Sequence, residues 1–300
     1  MTAINFSNLT ATQMIAMADG LAAAQQWGLA RGLYEAALRG APAALRRRLL
    51  VRRGLVTRPK SRTPAMLAAL HALEGTVREV FVGEGLSTWL KTLPFLEDDR
   101  FIDLVEKHSS LLPLGNWHWN LQTALWAVQQ ALHVEGDLVE LGVFRGHTTL
   151  FVAEYIDFAA IPRQWLLFDT FDGIPDDQLD AGWDKPNNVY KGTFSFEEVR
   201  DRFQHIPNVS VIKGRVPEVL EGRAPDKIAF IHMDMNNAGA EIAALDTLYD
   251  RLSPGGFILF DDFGWLVSRA QHDAERAWFA ARGLQVLPLP TGQGLFVKPT

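Results

Sequence analysis

The chain has 300 residues, 48% hydrophobic and 21% charged, the range of a globular protein with one large domain or a medium domain and an appendage. It has no cysteine, which excludes disulfides, thiolate zinc sites and a cysteine nucleophile, and its eight histidines are scattered without an HExxH pair. The net charge of −6 is uneven: residues 31–62 hold ten Lys or Arg against one acid, Glu35, a net of +9 that leaves −15 on the remainder.

In chain order, residues 9–40 and 64–93 are rich in Ala and Leu and read as helices. The basic stretch between them is interrupted by Gly54 and Pro59 and reads as a connection. Residues 1–95 are thus expected to form a helical N-terminal region carrying the basic segment 31–62. That segment could grip nucleic acid or anionic lipid, but no aromatics interleave its run of arginines for base stacking. A solvated arm, or a face that docks within a homo-oligomer through the N-terminal helices, is the expectation. No stretch approaches the roughly 18 apolar residues of a membrane helix. No basic-then-apolar leader is evident, so a cytoplasmic protein is expected.

From residue 96 to 300 strands and helices alternate. Helix 117–132 leads into strand DLVEL, and later strands are expected at 165–169, 209–213, 228–234, 256–261, 284–289 and 294–298. Helices fit between them at about 146–158, 195–204, 240–251 and 269–282. Near-continuous apolar strands separated by amphipathic helices predict an α/β domain, a doubly wound parallel sheet covered on both faces. The last two strands have no helix between them and predict an antiparallel hairpin, for seven strands in all.

Ligands of such sheets bind beyond the carboxyl ends of the strands. The first strand ends Glu140-Leu-Gly142-Val-Phe-Arg-Gly146-His-Thr148-Thr149. Its spacing is neither a phosphate loop nor a dinucleotide fingerprint. It suits an amino-acid moiety, with Glu140 toward the ammonium and Thr148, Thr149 and the helix amides toward the carboxylate, although a plain strand–helix turn would also read this way. Asp169 ends the second strand, where a ribose diol is held or a turn is capped. Gly214, after Lys213, ends the third, where an adenine could lie. Amino acid, ribose and adenine together describe S-adenosylmethionine.

The motifs VELGVFRGHT, FDTFDGIP, GTFSFEEVRDRF, VIKGRVPEVL and LYDRLSPGGFILFDDFG resemble the class I S-adenosylmethionine-dependent methyltransferases of the macrocin O-methyltransferase group, over about residues 110–298. The resemblance implies a Rossmann-like methyltransferase domain and methylation of a sugar hydroxyl in natural-product tailoring. It also implies that Glu140, Gly142 and Gly146 line the methionine end, that Asp169 takes the ribose, and that Asp234, Asp261 and Asp262 hold Mg2+. Three carboxylates on adjacent tips would repel one another without a hard cation. The sequence departs from the group at Asn236, where an acid is thought to take the hydroxyl proton; an amide cannot do this, although its carbonyl can ligate a metal or orient a hydroxyl. Glu241, His147, His272 and Asp262 are the alternative bases, metal-assisted loss of the proton to solvent is another route, and a cofactor-binding scaffold with lost or altered catalysis is the competing reading. His232 reads as a satisfied core histidine. Thr291 and Gln293, in the terminal hairpin, could reach the acceptor.

Overall fold

The computed structural model describes residues 9–39, 41–57, 59–111, 117–180 and 190–300. It divides into two compact units, Met1–Trp119 and Asn120–Thr300.

In the first unit, helices α1 (Ala11–Ala23), α2 (Trp27–Leu38), α3 (Ala43–Thr57) and α4 (Thr63–Thr76) are followed by a hairpin of β1 (Phe81–Gly83) and β2 (Leu86–Thr88), then α5 (Pro94–Glu97) and α6 (Asp99–Lys107). Four expectations change in this unit. The helix expected over 9–40 is two, broken at Gln25, whose φ of 58° is left-handed. The helix expected over 64–93 stops at Thr76, because Glu79, Glu84 and Gly85 adopt left-handed turns that fold the next residues into the hairpin.

The basic stretch is itself a helix, α3, not a connection. Leu49, Leu50, Val51 and Val56 bury one side of it. Its arginines are neutralised by acids: Arg52 by Asp19 and Glu74, Arg53 by Glu106, Arg46 by Asp99, and Arg47 by Glu79. The Arg53 and Arg46 pairs draw α6 onto α3, and Phe95 and Phe101 pack with Phe81 and His118. The packing break therefore lies at Trp119–Asn120, later than the expected 95–96.

In the second unit, α7 (His118–Ala131) runs into a seven-stranded sheet of β3 (Asp137–Leu141), β4 (Trp165–Asp169), β5 (Val209–Lys213), β6 (Ile228–Met233), β7 (Leu252–Phe260), β8 (Leu287–Pro288) and β9 (Gly294–Val297). Its order is β5-β4-β3-β6-β7-β9-β8, parallel from β5 to β7 and antiparallel at β9 and β8. Among the described residues, four helices follow its strands: α8 (His147–Tyr155), α9 (Phe196–Arg202), α10 (Ala238–Leu248) and α11 (Arg269–Ala280). The doubly wound α/β sheet expected from the sequence is the fold observed. β8 is only two residues long because Pro288 and Pro290 supply no ladder N–H, which suits an edge.

The chain leaves β3 toward β4 and β5 on one side and returns to β6 and β7 on the other. This reversal opens a crevice at the carboxyl ends of β3 and β6. Beneath it lies the core of Val139, Leu141, Phe168, Ile231, Met233, Ile258 and Phe260, all at most 0% exposed. Every residue of β6 is buried, His232 included.

Candidate active site

The ladder continues one residue past the strands: Gly142 N–H donates to Phe168, Asp234 N–H to Leu141 and Asp261 N–H to Met233. The tips of β4, β3, β6 and β7 are thereby aligned. Gly142 has φ +83°, and a Cβ there would lie 2.0 Å from the Asp234 carbonyl oxygen. Glycine at 142 is required for the β3 and β6 tips to meet at all. Gly146, with φ +73°, opens α8 as its N-cap and supplies no side-chain cap, so the first-turn amides stay open to an anion. Gly214 is explained by packing, since a Cβ would meet Val219 at 2.3 Å.

Parallel strands in register put side chains of one face beside each other. Glu140 of β3 is opposite His232 of β6. Their side chains meet at 2.8 Å (Oε1 to Nδ1), and the Thr149 hydroxyl donates to the other Glu140 oxygen at 2.6 Å. Both Glu140 oxygens are thus engaged by the protein, and Thr149 faces Glu140. Thr148 is buried beside it. On the far side, His232 Nε2 lies 3.8 Å from Asp261 Oδ1, an ion-pair distance longer than a hydrogen bond. Burial opposes a charge on His232, but Asp261 and Glu140 outweigh it and hold its pKa well above the ordinary value. The histidine expected to be a satisfied core residue is buried and bonded to Glu140 through Nδ1, but its Nε2 has no hydrogen-bond partner, and the carboxylates on either side favour its charged form.

Asp169 accepts at Oδ2 from the N–H groups of Val143 and Phe144, at 2.7 and 2.9 Å, and at Oδ1 from Phe171 N–H at 2.7 Å. Phe144 and Phe171 both have left-handed φ, 49° and 52°, a conformation that costs a bulky residue about 1–3 kcal/mol. Asp169 offsets that cost and ties the β3 loop to the end of β4. The Phe144 ring packs edge-on against Tyr190 at 5.4 Å and Phe194 at 4.8 Å, forming an aromatic wall beside the loop.

Asp234, Asp261 and Asp262 share one electrostatic environment. Burial, then Asp261, then Asp262, push the Asp234 carboxyl well above the usual range. Asp261 shifts down: burial works against its charge, but His232 and Asn120 hold it ionised. Asn120 Nδ2 and Gln293 Nε2 donate to Asp261 Oδ1 at 2.8 and 3.3 Å, so that with His232 these partners all crowd one oxygen. Burial and the charges of Asp234, Asp262, Asp261 and Asp169 raise the pKa of the Tyr190 phenol. The donor chemistry fits a hard divalent cation, which would relieve the repulsion on Asp234. Among the described residues, however, no three acidic or histidine side chains stand close enough to form a finished metal centre.

The base candidates fare unequally. Glu241 is fully buried, accepting from Met235 N–H at 3.0 Å and from Gln271 Nε2 at 2.9 Å. Burial, with Glu275 beside it, raises its pKa well above the ordinary value, and Glu275 is itself raised to about 7, chiefly by burial. Glu241 is therefore committed to holding the loop after β6. His272 is engaged through Nδ1 with the Phe263 carbonyl. Burial holds His147 down to about 4, against the pull of Asp261, so it is neutral, and its buried Nδ1 has no hydrogen-bond partner. Asp262 is buried at 8% exposure within the acid group. Of the amides after Asp234, Asn237 is the N-cap of α10, accepting from Ala240 N–H at 2.7 Å. Asn236 donates through Nδ2 to Asp234 Oδ1 at 3.1 Å.

Sequence reasoning missed Asn120 and Tyr190 as neighbours of the acids, and Glu275 as the second buried acid that raises Glu241. No local pattern marks them. Gln293 carried a signal in its glycine-flanked hairpin, where Gly292 lies so close to Trp265 that a Cβ would come within 2.5 Å of the indole nitrogen.

A family described as macrocin O-methyltransferase matches residues 118–285 of this chain. The 8-demethyl-8-(2,3-dimethoxy-α-L-rhamnosyl)-tetracenomycin-C 4'-O-methyltransferase of Streptomyces olivaceus is 32% identical over 174 residues, covering 53% of this chain and 64% of that protein. The mycinamicin III 3''-O-methyltransferase of Micromonospora griseorubida is 28% identical over 150 residues, covering 45% and 59%. The alignments span less than two thirds of these relatives. Among solved structures, the O-methyltransferase NovP superposes with a TM-score of 0.51 at 23% identity, over 60% of this chain and 80% of its own. The calicheamicin methyltransferase CalS11 does so with 0.52 at 17% identity, over 80% and 94%. At these identities the structural likeness is one of fold.

Proposed function

This chain belongs to the macrocin O-methyltransferase family, whose match covers more than half of it, and on that premise we propose that it transfers a methyl group from S-adenosylmethionine to a hydroxyl of a glycosyl or polyol natural-product intermediate. The observation that carries the proposal is the alignment of an uncapped, glycine-opened helix at the β3 tip with the crowded carboxylates at the β6 and β7 tips. One is suited to an amino-acid carboxylate, the other to a hydroxyl and its counter-cation. The two curated relatives are named as a 4'-O-methyltransferase of a rhamnosyl tetracenomycin and a 3''-O-methyltransferase of mycinamicin III, which supports the acceptor class.

In this reading Gly142, Gly146 and the open amides of His147, Thr148 and Thr149 receive the methionine end. Glu140 sets the charge beneath it, Asp169 shapes the loop toward the ribose, and Gly214 borders the adenine side. S-adenosylmethionine supplies a methyl carbon on a positive sulfur. As the new O–C bond forms, the C–S bond breaks with its electron pair left on sulfur, and the hydroxyl proton leaves the oxygen. The chain contributes mainly alignment and a water-poor site. His147 keeps a buried Nδ1 without a hydrogen-bond partner, but the burial that holds its pKa down to about 4 makes it a weak acceptor for that proton. Asp234, Asp261 and Asp262 are the residues that would hold Mg2+, whose chemistry there is to acidify a hydroxyl.

A cofactor-binding scaffold with lost catalysis is the second reading, favoured by the amide at Asn236 and by the commitment of Glu241 to the fold. The test is methyl-labelled S-adenosylmethionine with a panel of methyl glycosides, with Mg2+ or with excess chelator, alongside calorimetry. Label should pass to a glycoside, and Asp261→Asn should lower turnover by about 100-fold or more while cofactor affinity stays within a few-fold. Cofactor binding with no transfer to any acceptor would establish the scaffold reading. Full activity in chelator would remove the metal.

A further inference from the structure

Asn236 has one half of its amide engaged and the other half unmet. Its Nδ2 donates to Asp234 Oδ1, the orientation that an ionised Asp234 requires, because a flip would then set two oxygens against each other. Its Oδ1 is then buried without a hydrogen-bond partner. An unmet buried carbonyl costs about 1–3 kcal/mol, and a native fold retains one where a ligand supplies the donor.

The segment cannot relieve this by turning. Met235 N–H is held by Glu241 on one side, and Ala238 N–H is held by Asp180 on the other. Asn237 caps α10 between them. Asn236 itself has φ 57°, a left-handed conformation that Asn tolerates better than most side chains.

We infer that Asn236 binds the acceptor: its side-chain carbonyl takes the hydrogen bond of the acceptor's hydroxyl, as a neutral anchor that orients the oxygen and does not receive its proton. The inference rests on the transferase reading above and assigns within it a residue that selects for an O–H donor beside Asp234.

The experiment compares wild type with Asn236→Gly and Asn236→Asp. Glycine keeps the left-handed backbone while removing the side chain. Aspartate restores an oxygen acceptor but cannot donate to Asp234. The probes are labelled S-adenosylmethionine with methyl glycosides of rhamnose and glucose and with catechol, with cofactor affinity measured by calorimetry. Asn236→Gly should raise the KM for the acceptor about tenfold, the loss of one hydrogen bond to a buried group, with cofactor Kd within twofold. Asn236→Asp should recover most of that loss. An unchanged KM in Asn236→Gly overturns the inference. So does a KM defect in Asn236→Asp as large as in Asn236→Gly, which would mean that only the donated hydrogen bond to Asp234 matters. A wild-type protein that binds the cofactor and methylates nothing in the panel overturns the transferase reading and this inference with it, an outcome distinct from the other two.

Discussion

Arg52 in α3 and Asp234 at the end of β6 are both charged residues withdrawn from water, and their neighbours treat them in opposite ways. Arg52 is 1% exposed and meets Asp19 and Glu74, with two bonds to the Glu74 carboxylate at 2.8 and 2.7 Å. Burial works against both charges, yet Arg52 shifts upward and Glu74 downward, each kept ionised by the other. Asp234 meets Asp261 and Asp262, charges of its own sign, and its proton affinity rises. In the N-terminal unit charge is neutralised within the fold. In the C-terminal unit like charges are gathered where several strand tips meet, and the conflict is left for a ligand to resolve. A paired buried charge indicates structure; a crowd of one sign at strand ends indicates a site.

The largest expected effect would break the first half of this contrast. Arg52→Ala leaves Asp19 and Glu74 without their shared cation and should cost about 3–5 kcal/mol in denaturant unfolding. A loss below about 1 kcal/mol would mean that the arginine network holds little. The next tests, through pH, a second pair of buried like charges in the C-terminal unit, Glu241 and Glu275. Glu275 is raised from 4.5 to about 7 in the fold, so the folded state binds its proton more tightly than the unfolded chain does. Its stabilising contribution is full below pH 4.5 and is lost as pH rises through about 7. Glu275→Gln removes this titration and should gain stability relative to wild type between pH 5 and pH 8, by up to about 3 kcal/mol. Parallel urea midpoints at the two pH values would sink the carboxyl-pair account. Smaller still is Asp169→Ala, which releases the three loop amides and should cost about 1–3 kcal/mol in stability as well as weaken cofactor binding. Weakened binding with unchanged unfolding would show that Asp169 acts on the ligand alone.

Much of the second unit was legible in advance. Strands β3 to β7 are continuous apolar runs ending in Gly or Asp, and such runs have few ways to bury both faces except in a covered parallel sheet. The loop around Gly142 and Gly146 was also visible, although the reason for Gly142 was not: the neighbouring carbonyl of Asp234 occupies the space of its Cβ. The first unit was less legible. Gly54 and the arginine run suggested a connection, because the acids that neutralise them lie distant in sequence, at Asp19, Glu74, Asp99 and Glu106. Without those partners a helix with five arginines reads as a solvated arm.

In the second unit the sequence by itself determined the succession of strands and helices along the chain, the glycine loop and the identity of the acids at the strand tips, because hydrophobic period and chain-local turn chemistry are properties of neighbours along the chain. Only the tertiary structure decided which of those groups are engaged and which are open. Glu140 and His232 are 92 positions apart, and Asn120 and Asp261 are 141 apart. Whether a buried carboxylate is paired, repelled or left facing a cavity depends on partners brought across such separations, and the free energy of a charge is set by what surrounds it in space.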